Sequence, residues 1–266
     1  MTFLAAVVSQ PNFALISRLS LREVAQKVVG TQLGWLHYIL TPMLLLSVYT
    51  FVFSKLFAIR WGEADLGLGG FALRLFTGLI AFNFFAEVFN RSPRLVVSNA
   101  SYVKKVVFPL EALVPIAIVS GMVGVLANYA VFFAAYAYFE GLPTSHALWL
   151  PVLWMPLVLC LAGLGWLLAA LGVYLRDFDQ FVGVLTTLLM FLTPIFYPLA
   201  MVPEPYKRLL ALNPITYVIE EMRGVLFEAR SPDPTSLATM MLVSLLVAQC
   251  GYWFFMRTRK GFADVL

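Results

Sequence analysis

Apolar runs recur along the chain with short clusters of charge between them. They cover residues 33–54, 71–90, 109–139, 148–175, 180–197 and 235–256. Most reach the roughly 20 residues a helix needs to cross a bilayer, so the pattern predicts six membrane-spanning helices. Residues 13–29 differ. At about 100° per residue, Phe13, Ala14, Ser17, Leu21, Val24 and Val28 gather on one side, while Arg18, Arg22, Glu23, Gln26 and Lys27 lie elsewhere. Leu15, Ile16 and Leu19 blur that second face. The pattern predicts a helix lying in the membrane interface. Two readings of Arg18, Arg22 and Lys27 fit it: contact with lipid headgroups, or contact with a partner.

Residues 203–228 alternate differently again. Asn213 suits a helix N-cap and Pro214 the first turn, where its missing N–H costs nothing. Ile215, Val218, Ile219, Met222 and Leu226 then recur at helical spacing, with Glu220, Glu221 and Glu228 set to face away. This predicts two short re-entrant helices on the outer side. Pro194 and Pro198 in the LTPIFYP stretch are expected to break the fifth span.

Composition strengthens this reading. Of 266 residues 61% are hydrophobic and 12% charged, and the net charge is +4. With six spans, 11 of the 18 Lys and Arg fall on the inner side and 7 on the outer, four of those seven within 199–234. Short basic loops stay in the cytoplasm, so both termini are expected there. The basic balance therefore reflects topology and not nucleic-acid binding. Cys160 and Cys250 both sit in apolar runs and read as free thiols. No basic residue precedes the first apolar patch, which argues against a cleavable signal peptide.

The stretch 91–115 is more organised than a plain basic loop. It carries Arg91, Arg94, Lys104 and Lys105. Pro93 can open a short helix over 95–102, and Pro109 suits the first turn of the next span with Glu111 near its positive end. A short helix on an inner loop reads as a docking element; a topogenic loop without a partner is the simpler reading. Asn83, Glu87 and Arg91, four apart, predict a polar ladder at the inner end of the second span.

Chemistry is sparse. There is no phosphate-binding G-x-x-x-x-G-K-[ST] loop and no His/Cys cluster with metal spacing, so no catalytic residue or metal ligand is assigned. Glu204, Glu220, Glu221 and Glu228 suit acid–base work at a surface, though helix solubility also accounts for them.

Three motifs stand in order: NASYVKKVVFPLEALVP, YLRDFDQ, and LTPIFYP followed by ALNPITYVIEEMRGVLF. Together they resemble the ABC-2-type exporter permeases, specifically the membrane subunits of polysaccharide or O-antigen exporters. The resemblance covers essentially the whole chain, as one transmembrane domain over 1–266. It implies an all-α polytopic protein of the bacterial inner membrane with six transmembrane helices, an interface helix at 13–29, a cytoplasmic coupling segment at 95–108 and outer gate helices at 203–228. It further implies a homodimer bound to two copies of a P-loop ATPase, which would hold the ATP and Mg this chain lacks, and a lipid-linked polysaccharide as cargo. Relatives that export teichoic acid, lipid or drugs remain alternatives, as does, more remotely, a membrane-embedded glycan-assembly enzyme or scaffold. Carried over by position, Asn99, Ser101, Tyr102, Lys104, Lys105 and Phe108 fall in the coupling segment. Pro194, Pro198, Asn213 and Pro214 fall at the outer gate.

Sugar rings pack their C–H faces on aromatic rings, which singles out two stripes. Trp35, Tyr38, Tyr49 and Phe53 share an arc about 60° wide on the first span. Thr186, Met190, Thr193 and Tyr197 share a face of the fifth. Both stripes are candidate channel lining, and helix–helix packing explains either one as well.

Overall fold

The computed structural model describes residues 10–29, 36–52, 67–104, 108–175 and 177–266. Trp35, Phe53 and Lys105 lie outside the described residues, as do the side chains of Lys27, Tyr38 and Lys104. Among the described residues all regular structure is helical. The α-helices are α1 (Gln10–Val29), α2 (His37–Thr50), α3 (Gly67–Arg91), α4 (Ala100–Lys104), α5 (Leu113–Phe139), α6 (Leu150–Tyr174), α7 (Phe178–Leu192), α8 (Glu204–Ala211), α9 (Pro214–Phe227), α10 (Pro234–Thr258) and α11 (Phe262–Val265).

Among the described residues, four helical stretches are long and apolar enough to cross a membrane: Gly69–Arg94, Leu110–Phe139, Ser145–Tyr174 and Pro234–Val265. The sequence pattern predicts six. The other two apolar helices, α2 and α7, have 14 and 15 described residues, which at 1.5 Å per residue span roughly 21–23 Å. For α7 the cause is local. The chain turns extended at Thr193, because the residue before a proline is pushed out of helical geometry.

α6 and α10 make the most extensive helix–helix contact. Its closeness rests on two glycines. A Cβ on Gly163 would strike the Val247 carbonyl, and one on Gly251 would strike the Gly163 carbonyl. Small residues let helix backbones approach where apolar lipid gives helices no hydrophobic reason to associate. Trp166 and Tyr252 then meet edge to face at 5.2 Å. A second seam joins α3 to α5, with Gly121 against Phe84 and Val88.

α9 wedges between α3 and α6 and is buried over most of its length, from Ile215 to Leu226. Glu221, expected to face away, is only 9% exposed; a helix packed on several sides has little free face. α8, by contrast, has no buried residue.

Candidate functional site

The chemistry-bearing residues collect at two opposite ends of the bundle. At the first end, the segment after α3 continues as two 3-10 turns, Ser92–Arg94 and Val97–Asn99, before α4. The single helix expected over 95–102 is thus broken. The reason lies in where the side chains go. Leu95 and Val96 are buried, while Val97, Ser98 and Ser101 are exposed. Short turns allow two adjacent anchors to enter the core. The Ser98 hydroxyl donates to the Arg94 carbonyl at 2.6 Å and the Asn99 amide to that of Leu95 at 2.9 Å, so the turns are held by their own side chains. Gly172 of α6 admits the Pro93 carbonyl. Tyr102 stacks on Phe108, centroids 4.6 Å apart.

Glu111 clamps this end from below. Its carboxylate accepts from Arg259 at 2.7 Å, and its carbonyl accepts from the Trp166 indole at 2.9 Å. The tail beyond α10 seats Phe262, fully buried, between Tyr174 and Phe255.

α1 packs on α5 through Ile16, which joins Ala112 and Ile116, with Leu19 and Phe108 alongside. Its buried side is thus the one that looked blurred in the sequence, and Leu21 on the cleaner apolar stripe is 68% exposed. Glu23 on the same helix pairs with Arg91. Arg18 and Arg22 are exposed. Arg22, Glu23, Gln26, Arg91, Asn99 and Tyr102 border a hollow of about 250 Å³ between α1 and the turn segment. Of the expected ladder, Arg91 is joined to α1, and Asn83 and Glu87 are exposed.

Of the channel candidates, the side chains of Tyr49, Thr186, Met190, Thr193 and Tyr197 are described. Tyr49 is half-buried and meets Phe196 edge to face at 5.3 Å. The Thr186 hydroxyl donates to the Asn90 side chain at 2.7 Å and is buried. Met190 is half-buried, and Thr193, fully buried, accepts from the Asn213 amide at 3.4 Å. Tyr197 lies past the helix end and donates to the Phe191 carbonyl at 3.2 Å.

At the second end, Asn213 caps α9 by accepting from the Ile215 N–H at 3.0 Å, with Pro214 in the first turn. Pro198 starts the short turn Leu199–Met201. The residue that organises this end is Arg223, which the periodicity does not single out. Its guanidinium is buried and donates to the carbonyls of Pro194 at 2.7 Å, Ile195 at 2.9 Å and Arg74 at 3.2 Å, and to Glu220 at 2.8 Å. Burial pulls its pKa down to about 10, so it stays charged at neutral pH. The break after α7 leaves carbonyls without helical donors, and a five-donor fork supplies them. One signal was present: Arg223 lies four residues after Ile219, at the edge of the apolar stripe. Nearby, burial raises the Glu221 carboxyl while Arg230 opposes that shift, and Arg74 sits 4.3 Å from the centre of the Phe227 ring.

The arrangement sets Glu220 and Glu221 beside a hollow of about 320 Å³ with Thr216 and Tyr217 and has, among the described residues, no metal-binding group of three His, Cys, Asp or Glu. It has instead an exposed turn segment at one end, a buried arginine clamp at the other, and apolar helices between.

Comparison with known proteins agrees with that picture. O-antigen export system permease proteins of Myxococcus xanthus and Klebsiella pneumoniae are similar over nearly their full length. The first is 25% identical over 252 residues, 94% of each chain. The second is 24% identical over 257 residues, 96% of this chain and 95% of the relative. A polysialic acid transport protein of Escherichia coli is 23% identical over 250 residues, 92% of this chain and 93% of that one. The sequence pattern of the ABC-2 type transporter family matches residues 14–227, and with most of its length inside that match this apolar helical chain belongs to the ABC-2 type transporter membrane family.

Proposed function

We propose that the chain is the membrane-spanning permease subunit of an ATP-driven exporter that carries a lipid-linked, O-antigen-like polysaccharide across the bacterial inner membrane. The observation that carries this reading is the end-to-end similarity to O-antigen and polysialic acid export proteins. In this reading the chain forms a homodimer, crosses the membrane six times with α2 and α7 among the spans, and keeps both termini in the cytoplasm. The coupling segment at 95–108, with Asn99, Ser101, Tyr102, Lys104, Lys105 and Phe108, docks a P-loop ATPase subunit, two copies per dimer, and α1 lies at the inner interface. α8 and α9 form the outer end of the path. ATP and Mg belong to the partner, so this chain transports and does not hydrolyse.

Two measurements test the reading. Affinity purification of the tagged chain from its own host is expected to recover a P-loop ATPase in equal amount. Deleting the chain is expected to strand lipid-linked polymer on the cytoplasmic side. Normal surface polymer in the deletion strain overturns the proposal.

A further inference from the structure

The hollow of about 320 Å³ beside α9 is closed on its other side by the start of α10. Its two walls differ. α9 supplies Thr216, Tyr217, Glu220 and Glu221, two pairs four residues apart and so on one side of the helix. α10 supplies Thr235, Ser236 and Thr239, all exposed. The α10 wall is thus open to the surroundings, while the α9 wall is not.

The α9 wall is also short of hydrogen bonds. Thr216 is 1% exposed, Tyr217 8% and Glu221 9%. The hydroxyls of Thr216 and Tyr217 and one carboxylate oxygen of Glu221, Oε2, are each buried with no hydrogen-bond partner. Buried polar atoms are normally bonded, and each one left unpaired lowers stability. Three such oxygens fall within two turns of one helix, all on residues that line one hollow. Stability is given up in this way where a fold keeps groups ready for a ligand.

The chemistry of the lining narrows that ligand. The Ser236 hydroxyl donates to Asp233 and the Thr239 hydroxyl to the Thr235 carbonyl, and each keeps lone pairs with which to accept. With Glu221 Oε2 they make the hollow rich in acceptors, so the ligand must bring donors. The two charged residues of the lining each have an arginine partner, Glu220 with Arg223 at 2.8 Å and Glu221 with Arg230 at 3.4 Å. Among the described residues no third acidic, His or Cys side chain joins them, as a metal site needs. Neutral hydroxyl donors suit this lining better than a cation does.

We infer that the hollow binds one sugar ring of a glycan, with Glu221 Oε2 accepting from ring hydroxyls and Thr216 and Tyr217 bonding to other oxygens of the ring. Its volume lies at the small end of ligand pockets, about 300–1,000 Å³. The inference rests on the polysaccharide cargo proposed above, and adds a holding point for it apart from the stripes on α2 and α7.

The test uses the full-length chain in lipid nanodiscs, with oligosaccharide fragments of the host's own surface polymer as probe. It reads affinity by titration calorimetry beside melting temperature. The native chain is expected to bind the fragments. Tyr217→Phe and Thr216→Val each remove one unpartnered oxygen at nearly constant shape. Each is expected to weaken binding about 2- to 12-fold, the worth of one hydrogen bond, and to keep or raise the melting temperature. A purely structural group would lower the melting temperature when removed. Native affinity in both variants overturns the site, and so does weaker binding that comes only with a lower melting temperature. Stabilisation by calcium chloride without binding of the fragments overturns it in favour of a cation. Normal surface polymer in the deletion strain removes the cargo and the inference with it. Lost polymer in that strain, beside a native chain that binds no fragment, removes the inference alone.

Discussion

The α6–α10 pair and α7 are both strongly apolar, yet the protein holds them by opposite means. α6 and α10 touch backbone to backbone along a glycine seam, with Ala248 and Trp166 buried in it. α7 seats one stripe, Phe178, Val182, Leu185, Leu189 and Met190, on the core, leaves its other face exposed, and is joined at both ends to arginines from elsewhere. Hydropathy does not separate the two cases. What separates them is where the small residues and the hydrogen-bonding groups fall. Interlocked backbones have one arrangement, and any shift costs packing along the whole seam. The α6–α10 pair is therefore the frame of the molecule, and α7 is seated against the core by one face only.

The largest effect is expected where the frame is attacked. Gly163→Leu puts a side chain into the Val247 backbone, beyond the about 1–3 kcal/mol of a tolerated overpacking. No folded peak is expected in detergent size-exclusion chromatography; a monodisperse variant with a native melting curve would remove the frame from the comparison. Next comes the arginine clamp on the chain after α7. Arg223→Met strips donors from three carbonyls and leaves Glu220 without its partner, a loss of about 3–5 kcal/mol when a buried charged contact is broken. A large fall in melting temperature checks it.

The middle attachment of α7 is worth less. Thr186→Val removes the bond to Asn90 and is expected to cost about 0.5–1.5 kcal/mol, a shift of only a few degrees. A drop as large as that of Arg223→Met would show that this bond, and not the apolar stripe beside it, holds the middle of α7. The smallest effect is at the exposed start of α10. Asp233 accepts from the Ser236 hydroxyl and N–H at 2.7 and 2.8 Å, and these bonds hold its carboxyl below the usual carboxylate range. A lowered folded-state pKa stabilises above the unfolded value of about 3.9 and is lost as pH falls through the folded one. Asp233→Ala is therefore expected to lower the melting temperature slightly at pH 7 and to match the native chain at the acid end of a pH series. An equal deficit at every pH would assign the effect to something other than the cap.

Much of this was legible in the chain because it follows from local physics. Apolar runs place the helices. Pro194 stops α7, Asn213 and Pro214 start α9, and the LTPIFYP and ALNPITY stretches lie where a helix breaks and another begins. Each of these depends on a residue's own backbone preferences or on neighbours a few positions away. The 92–104 segment was legible as a distinct element but not as a pair of 3-10 turns. That detail follows from Leu95 and Val96 both finding room in the core.

What only the tertiary structure decided is pairing across distance. Which face of α1 turns inward depends on Ala112 and Ile116 offering a seat to Ile16, and two usable stripes on one helix cannot be ranked by periodicity. Arg223 reads as one of several outer charges until the broken end of α7, 28 residues earlier, is laid beside it. Arg94 and Asp179 lie 85 residues apart. Helical spacing tells each residue which way it faces on its own cylinder; packing alone chooses what it meets there.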